Sequence, residues 1–234
     1  MYIYGKNVSR EKIESHDKIV RAYISKRFRD QDIINKLRDR NVKINFVDDR
    51  VLDNKADGNH QGIVLEVDDV KVYNIGEFLN STNINNNSVI VMLDHLEDPH
   101  NFGAIIRTCE ALGIDGIIFP SDRSVGITPT VIKTSVGAIE HIKLVRVTNL
   151  SDTIKKLKDS GFWIYGTDME GDDYTKVSYD SPVCLIIGNE GKGMSNVVRK
   201  NCDYIVSIPM KGRINSLNAS VSAGIVLSQI VREK

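Results

Sequence analysis

The stretch Val89-Ile90-Val91-Met92-Leu93-Asp94-His95-Leu96-Glu97-Asp98-Pro99-His100-Asn101-Phe102-Gly103-Ala104-Ile105-Ile106-Arg107-Thr108 sets the frame for the chain. Its first five residues form an uninterrupted apolar run, the pattern of a buried strand, which ends at Asp94. Pro99 cannot continue a helix from upstream, and Asn101 stands where a helix over Phe102–Leu112 would begin, as a favoured N-cap. Gly113 is the expected stop. Strand, polar turn and helix make one unit of an α/β sheet.

The same rhythm continues downstream. Strands are expected over Gly116–Phe119, Ile142–Val147, Phe162–Thr167, Val183–Ile187 and Tyr204–Ile208, with helices over Pro129–Ser135, Asp152–Lys158, Asn196–Lys200 and Ala219–Val231. Such alternation predicts an α/β fold with a mainly parallel sheet covered on both faces, binding ligands beyond the carboxyl ends of its strands. Upstream, the Asn-rich residues 80–88 bury little and mark a boundary. Residues 71–88 read as a linker with a short helix near Gly76–Leu79. Residues 1–70 read as a small α/β domain, with strands at Tyr2–Tyr4, Lys18–Ile24, Lys43–Val47 and Gly62–Val67 and helices at Ser9–Ser15 and Asp30–Arg40. The catalytic-sized domain is then 89–234.

The chain's 234 residues, 41% of them apolar, suffice for packed cores. Charge balances at 31 basic against 31 acidic residues, which excludes a general DNA coat. Residues 1–60 carry a net +4, open either to RNA phosphates or to a plain solvated surface. Cys109, Cys184 and Cys202 sit among apolar neighbours without a C-x-x-C, as expected of reduced thiols in a cytoplasmic protein. No apolar run approaches a membrane span, and no familiar zinc spacing is present, so neither membrane nor metal is expected.

Three polar, Gly- and Asn-rich segments fall after predicted strands: Asp98–Thr108, Ile187-Gly188-Asn189-Glu190-Gly191-Lys192-Gly193-Met194, and Ile208-Pro209-Met210-Lys211-Gly212-Arg213-Ile214-Asn215-Ser216-Leu217-Asn218-Ala219-Ser220. Taken singly each has a plain reading: a capped helix with one surface Arg, a solvated turn charge, a helix cap. The sharper reading is a polar site in which Arg107 grips a phosphate or an oxygen nucleophile, and Glu190 stands on a loop bare enough to approach a flat ligand. The second segment is not a phosphate loop, because Lys192 is followed by Gly193, and no G-x-G-x-x-G follows the first strand.

Together and in this order, the three segments resemble the motifs of the SpoU/TrmH family of RNA ribose 2′-O-methyltransferases, within the SPOUT superfamily. The likeness covers about residues 88–234. Ile3-Tyr4-Gly5-Lys6-Asn7 and His60-Gln61-Gly62-Ile63 are similar to the L30e-like substrate-binding domain of members that methylate a guanosine in large-subunit (23S) rRNA. The resemblance implies a deep trefoil knot, S-adenosylmethionine as cofactor, a homodimer whose interface helps build the site, and RNA as partner. It carries catalytic roles to Asn101, Arg107, Glu190, Ser216 and Asn218, and cofactor contacts to Thr167, Gly188, Ile208, Met210 and Leu217. Arg107, whose guanidinium is a donor fork with no acceptor, is expected to bind phosphate and stabilise charge on the 2′-oxygen rather than to act as a base. Two alternatives remain: a tRNA ribose methyltransferase of the same fold, and a non-catalytic RNA-binding assembly factor.

Overall fold

The computed structural model describes residues 1–15, 18–56, 58–213 and 216–234. The chain divides into two compact units, Met1–Val70 and Lys71–Lys234. Among the described residues no helix is long and apolar enough to cross a membrane.

The first unit runs β1 (Tyr2–Tyr4), α1 (Lys6–Glu14), β2 (Ile19–Ser25), α2 (Gln31–Asp39), β3 (Ile44–Val47), α3 (Asp49–Asp53) and β4 (Ile63–Val67). Its four-stranded sheet has the order β1-β4-β2-β3, with β4 antiparallel to both neighbours and β3 parallel to β2. Ile33, Ile34 and Leu37 form the buried stripe of α2 and join Ile3, Ala22, Ile24 and Leu65 in one core cluster. The Asp30 side chain starts α2 by accepting the Ile33 amide at 3.3 Å. A smaller cluster forms around Tyr23, Leu52, Ala56 and Val64. It uses α3, five residues long and too short for its period to be seen in the sequence.

The second unit runs β5 (Val72–Tyr73), α4 (Ile75–Ser81), β6 (Val89–Leu93), α5 (Pro99–Ala111), β7 (Gly116–Pro120), α6 (Pro129–Ser135), a short 3₁₀ turn (Ala138–Glu140), β8 (Lys143–Val147), α7 (Leu150–Asp159), β9 (Trp163–Asp173), β10 (Val183–Ile187), α8 (Asn196–Arg199), β11 (Tyr204–Ser207) and α9 (Ala219–Arg232). Seven strands pair in the order β11-β9-β10-β6-β7-β8-β5, and every neighbouring pair is parallel. The centre is β10 against β6, in register from Val183↔Val89 to Ile187↔Leu93, with all ten residues buried. Period-2 alternation sends Ile90, Met92, Ile164 and Ile186 into one core with Ile154 and Leu157 of α7. Helices α5 and α9 pack against each other, α5 also meeting β7 and α9 meeting β10.

Three expectations change. Residues 71–88, expected as a linker, hold β5 at the sheet edge and α4, whose Asn74–Glu77 capping box and buried Phe78 tie it to this unit. The short helix expected near Gly76–Leu79 is α4, whereas the two-residue β5 leaves too little pattern to outweigh the Asn-rich composition. Helix α5 begins at Pro99, not Phe102: the Asp98 side chain accepts the His100 amide at 2.9 Å, and Pro99 takes the first helical position, where no N–H is needed. Asn101 is therefore not the N-cap but a buried residue one turn inside. Strand β9 runs on past Thr167; it pairs Gly166 with Ile205, then Asp172 with Val206, so residues 167–171 leave the ladder as a five-residue excursion.

Candidate active site

Residues that follow three adjacent strands enclose one cleft of about 660 Å³ at the carboxyl end of the sheet, a size suited to a small-molecule ligand. Thr167 and Asp168 come from the β9 excursion, Gly188 and Glu190 from the turn after β10, and Ile208, Met210 and Leu217 from the segment after β11. All five residues expected to touch a cofactor, Thr167, Gly188, Ile208, Met210 and Leu217, line it, as do Glu190 and Ser216. Met210 and Leu217 are partly exposed at 39% and 38%, apolar surface that a ligand would cover. Asn215, also singled out in the sequence, lies outside the described residues.

The turn after β10 is built to be narrow. A Cβ on Gly188 would stand 2.5 Å from Gly193 C and Met194 N, so only hydrogen fits there. Asn189 and Gly193 exchange backbone hydrogen bonds at 3.0 and 2.9 Å. The Asn189 side chain closes the loop, accepting the amides of Gly191 and Lys192 at 2.9 and 3.1 Å and donating to the His95 carbonyl at 2.8 Å.

Glu190 projects from this loop toward the start of α5. Its Oε1 accepts from Asn101 Nδ2 at 3.0 Å and from the Asp98 amide at 3.4 Å, and Oε2 from the Glu97 amide at 3.5 Å. Asn101 Oδ1 in turn accepts from Asn218 Nδ2 at 2.8 Å. Asn218 is the N-cap of α9, its Oδ1 taking the amides of Ser220 and Val221. One chain of hydrogen bonds thus joins all three polar segments: Asn218, Asn101, Glu190. Ser216 is at the cleft wall.

Arg107 is not brought to this cluster. It lies six residues beyond Asn101 on α5, about 120° around the helix, solvent-exposed and without an ion pair or hydrogen bond among the described residues.

Sequence reasoning missed Asn189, and it missed Asp168. The Asp168 carboxylate pairs with the Arg199 guanidinium of α8, which also lies 3.7 Å from Glu170. Burial acts to raise the Asp168 pKa, but the Glu170 amide and Arg199 outweigh it and hold the carboxyl below the usual range. None of the three thiols lines the cleft, and burial pushes Cys202 up to about 12 and raises Cys109 and Cys184 as well.

Residues 88–228 match the SpoU rRNA Methylase family, and residues 2–73 match the family described as RNA 2′-O ribose methyltransferase substrate binding. The Bacillus subtilis protein YacO, named for the TrmH family of tRNA/rRNA methyltransferases, is 37% identical, over 100% of this chain and 96% of its own. A Staphylococcus haemolyticus protein named for the same family is 39% identical, over 99% and 95%. Among solved structures, the SpoU methyltransferase AviRb from Streptomyces viridochromogenes, in complex with AdoMet, superposes with a TM-score of 0.77 at 26% identity, covering 100% of this chain and 89% of that one. The A. aeolicus TrmH/SpoU tRNA modifying enzyme gives 0.58 at 28% identity, over 68% of this chain and 81% of its own.

Proposed function

The chain belongs to the SpoU rRNA methylase family, and from that premise we propose that it transfers a methyl group from S-adenosylmethionine to the ribose 2′-hydroxyl of a guanosine in large-subunit (23S) rRNA. The observation that carries this reading is the Asn218–Asn101–Glu190 chain at the rim of the cleft. It devotes two polar side chains, one of them buried, to orienting a single carboxylate, more than capping two helices requires.

The cleft fits the cofactor: backbone groups at Gly188 and Ile208 sit beside the apolar side chains of Met210 and Leu217, the mixture a nucleoside with a sulfonium-bearing arm would need. When bound, that cofactor supplies an activated methyl group. The chain's own work is positioning, with an upper bound of about 7–11 kcal/mol in the best model systems. Glu190, fixed by Asn101, orients the nucleotide, while Ser216 and Asn218 hold the ribose and the segment before α9. Arg107 binds the neighbouring phosphate and stabilises negative charge developing on the 2′-oxygen. Its exposed place on α5 is consistent with a homodimer in which Arg107 of a second copy completes the site. An Arg107→Lys variant with near-full turnover would refute the need for a planar fork.

The unit Met1–Val70 serves as the RNA-targeting part; the substrate-binding match over 2–73 supports this role. The same chemistry on tRNA is the second reading, favoured by relatives named for tRNA and rRNA alike. The deciding experiment is transfer of labelled methyl to total RNA from cells lacking the protein, mapped by resistance to alkaline cleavage. One 2′-O-methylguanosine in large-subunit rRNA is the expected product. Label in tRNA moves the substrate, and no label with no cofactor binding favours a non-catalytic RNA-binding factor.

A further inference from the structure

We propose that Asp94 and His95, at the carboxyl end of β6, are positioning residues that order the Glu190 loop before any ligand arrives; this rests on the reading that Glu190 belongs to the active site. Asp94 is a carboxylate only 1% exposed, in a sheet otherwise apolar at its centre. Both its oxygens are used: Oδ2 accepts the Ser195 amide at 2.6 Å, and Oδ1 lies 2.6 Å from His95 Nδ1. Its own amide donates to the Ile187 carbonyl at 2.8 Å, one residue before Gly188. Asp94 therefore holds both the entry to the loop, at Ile187, and its exit, at Ser195.

His95 supplies the middle. It occupies a left-handed backbone conformation, φ 58°, without being glycine. Such a residue persists where its surroundings over-determine it. Here the imidazole is tethered to Asp94 through Nδ1, 2.6 Å from Oδ1. That backbone conformation aims the His95 carbonyl at Asn189 Nδ2, 2.8 Å away. Because Nδ2 is so engaged, Asn189 Oδ1 faces inward and takes the amides of Gly191 and Lys192, the residues just after Glu190. The route from Asp94 to Glu190 is then continuous: carboxylate, imidazole, backbone carbonyl, amide side chain, loop amides. Asp94 and His95 themselves are not among the residues that line the cleft.

Two variants test this while keeping Asp94 itself in place. His95→Gly keeps the positive φ and the carbonyl but removes the tether. Asn189→Asp can still accept the two loop amides but presents an acceptor to the His95 carbonyl. In the free protein, native-state hydrogen exchange at Gly191 and Lys192 is expected to quicken about tenfold in each, the scale of one missing hydrogen bond. The double variant should go no further, since both changes cut one route. S-adenosylhomocysteine affinity, by calorimetry, should weaken in parallel. Unchanged exchange in His95→Gly, or losses that multiply in the double variant, would overturn the proposal. If exchange responds as expected but the unmodified chain binds no S-adenosylhomocysteine, the positioning stands and the methyltransferase site does not.

Discussion

Asn218 Nδ2 donates to Asn101 Oδ1 at 2.8 Å across 117 positions of sequence, and the direction of that bond is dictated by a helix end. Asn218 Oδ1 is already committed to the Ser220 and Val221 amides and to the Ser220 hydroxyl. Its NH₂ must therefore face Asn101, whose oxygen must accept and whose own NH₂ must point at Glu190. A backbone requirement of α9 is thereby passed to a carboxylate in another segment.

Asn101→Asp breaks this polarity. It sets a second carboxylate beside Glu190, near the observed Asn101–Glu190 separation of 3.0 Å, and like charges at that range push one pKa of the pair up. Activity at pH 7–8 should fall by at least about tenfold. As pH drops and the pair takes up a proton, the introduced carboxyl can again donate, so activity relative to an Asn101→Ala control should rise. A ratio of the two variants that is flat from about pH 5 to 8 would show that the donor to Glu190 is dispensable.

Gly188→Ala tests the cleft wall. The added methyl would meet backbone, not a flexible side chain, at 2.5 Å, so the turn itself must move. S-adenosylmethionine affinity is expected to fall by more than about tenfold, with a stability cost of about 1–3 kcal/mol. Wild-type affinity measured by calorimetry would separate the turn from the ligand site.

Much of this architecture is legible in the sequence. Val89–Leu93, Pro129–Ser135 and Val183–Ile187 coincide with their predicted bounds because uninterrupted apolar runs and a Pro-initiated helix leave little freedom. The five residues expected to touch a cofactor line one cleft because a parallel sheet collects the ends of its strands at one edge. The capping role expected of Asn101 belongs instead to Asp98, since a cap is settled by which side chain reaches a free amide. Asp94, Asn189 and the Asp168–Arg199 pair stay hidden for a different reason. Asp94 reaches the Ser195 amide 101 residues away and Asn189 the His95 carbonyl 94 away, and Asp168 pairs with Arg199 of α8; no local pattern encodes those meetings.

The Asp168–Arg199 pair predicts a pH-dependent stability. With the folded-state pKa of Asp168 held below its unfolded value of about 3.9, the pair contributes stability at neutral pH. That contribution is lost as pH falls through the still lower folded value. Arg199→Gln should lower the melting temperature by about 2 °C at pH 7, the scale of a partly exposed ion pair in a chain of this size. The deficit should shrink at pH values below the normal carboxylate range. An equal deficit at about pH 7 and about pH 3 would assign the loss to packing of α8 instead.

The N-terminal unit predicts a division among its cations. Lys6, Arg10, Arg21, Lys26, Arg27 and Arg29 are all candidates for RNA phosphates on sequence alone, but the fold does not leave them equally free. Arg10 is 2.8 Å from Asp30 and 3.9 Å from Asp32, and Lys26 is 3.0 Å from Asp48. Arg27 and Arg29 flank Phe28, which is buried beneath them, and both stand exposed without an ion pair among the described residues. An arginine already neutralised must give up an acid to grip phosphate, whereas a free one gains at once by releasing counterions from the RNA. Arg27→Glu and Arg29→Glu should each weaken RNA binding and flatten the slope of log affinity against log salt by about one unit for every phosphate no longer neutralised. Arg10→Gln should lower the melting temperature and leave that slope unchanged. If the Arg10 variant alters the salt slope and the Arg27 and Arg29 variants do not, the RNA runs along α1 rather than past the end of β2.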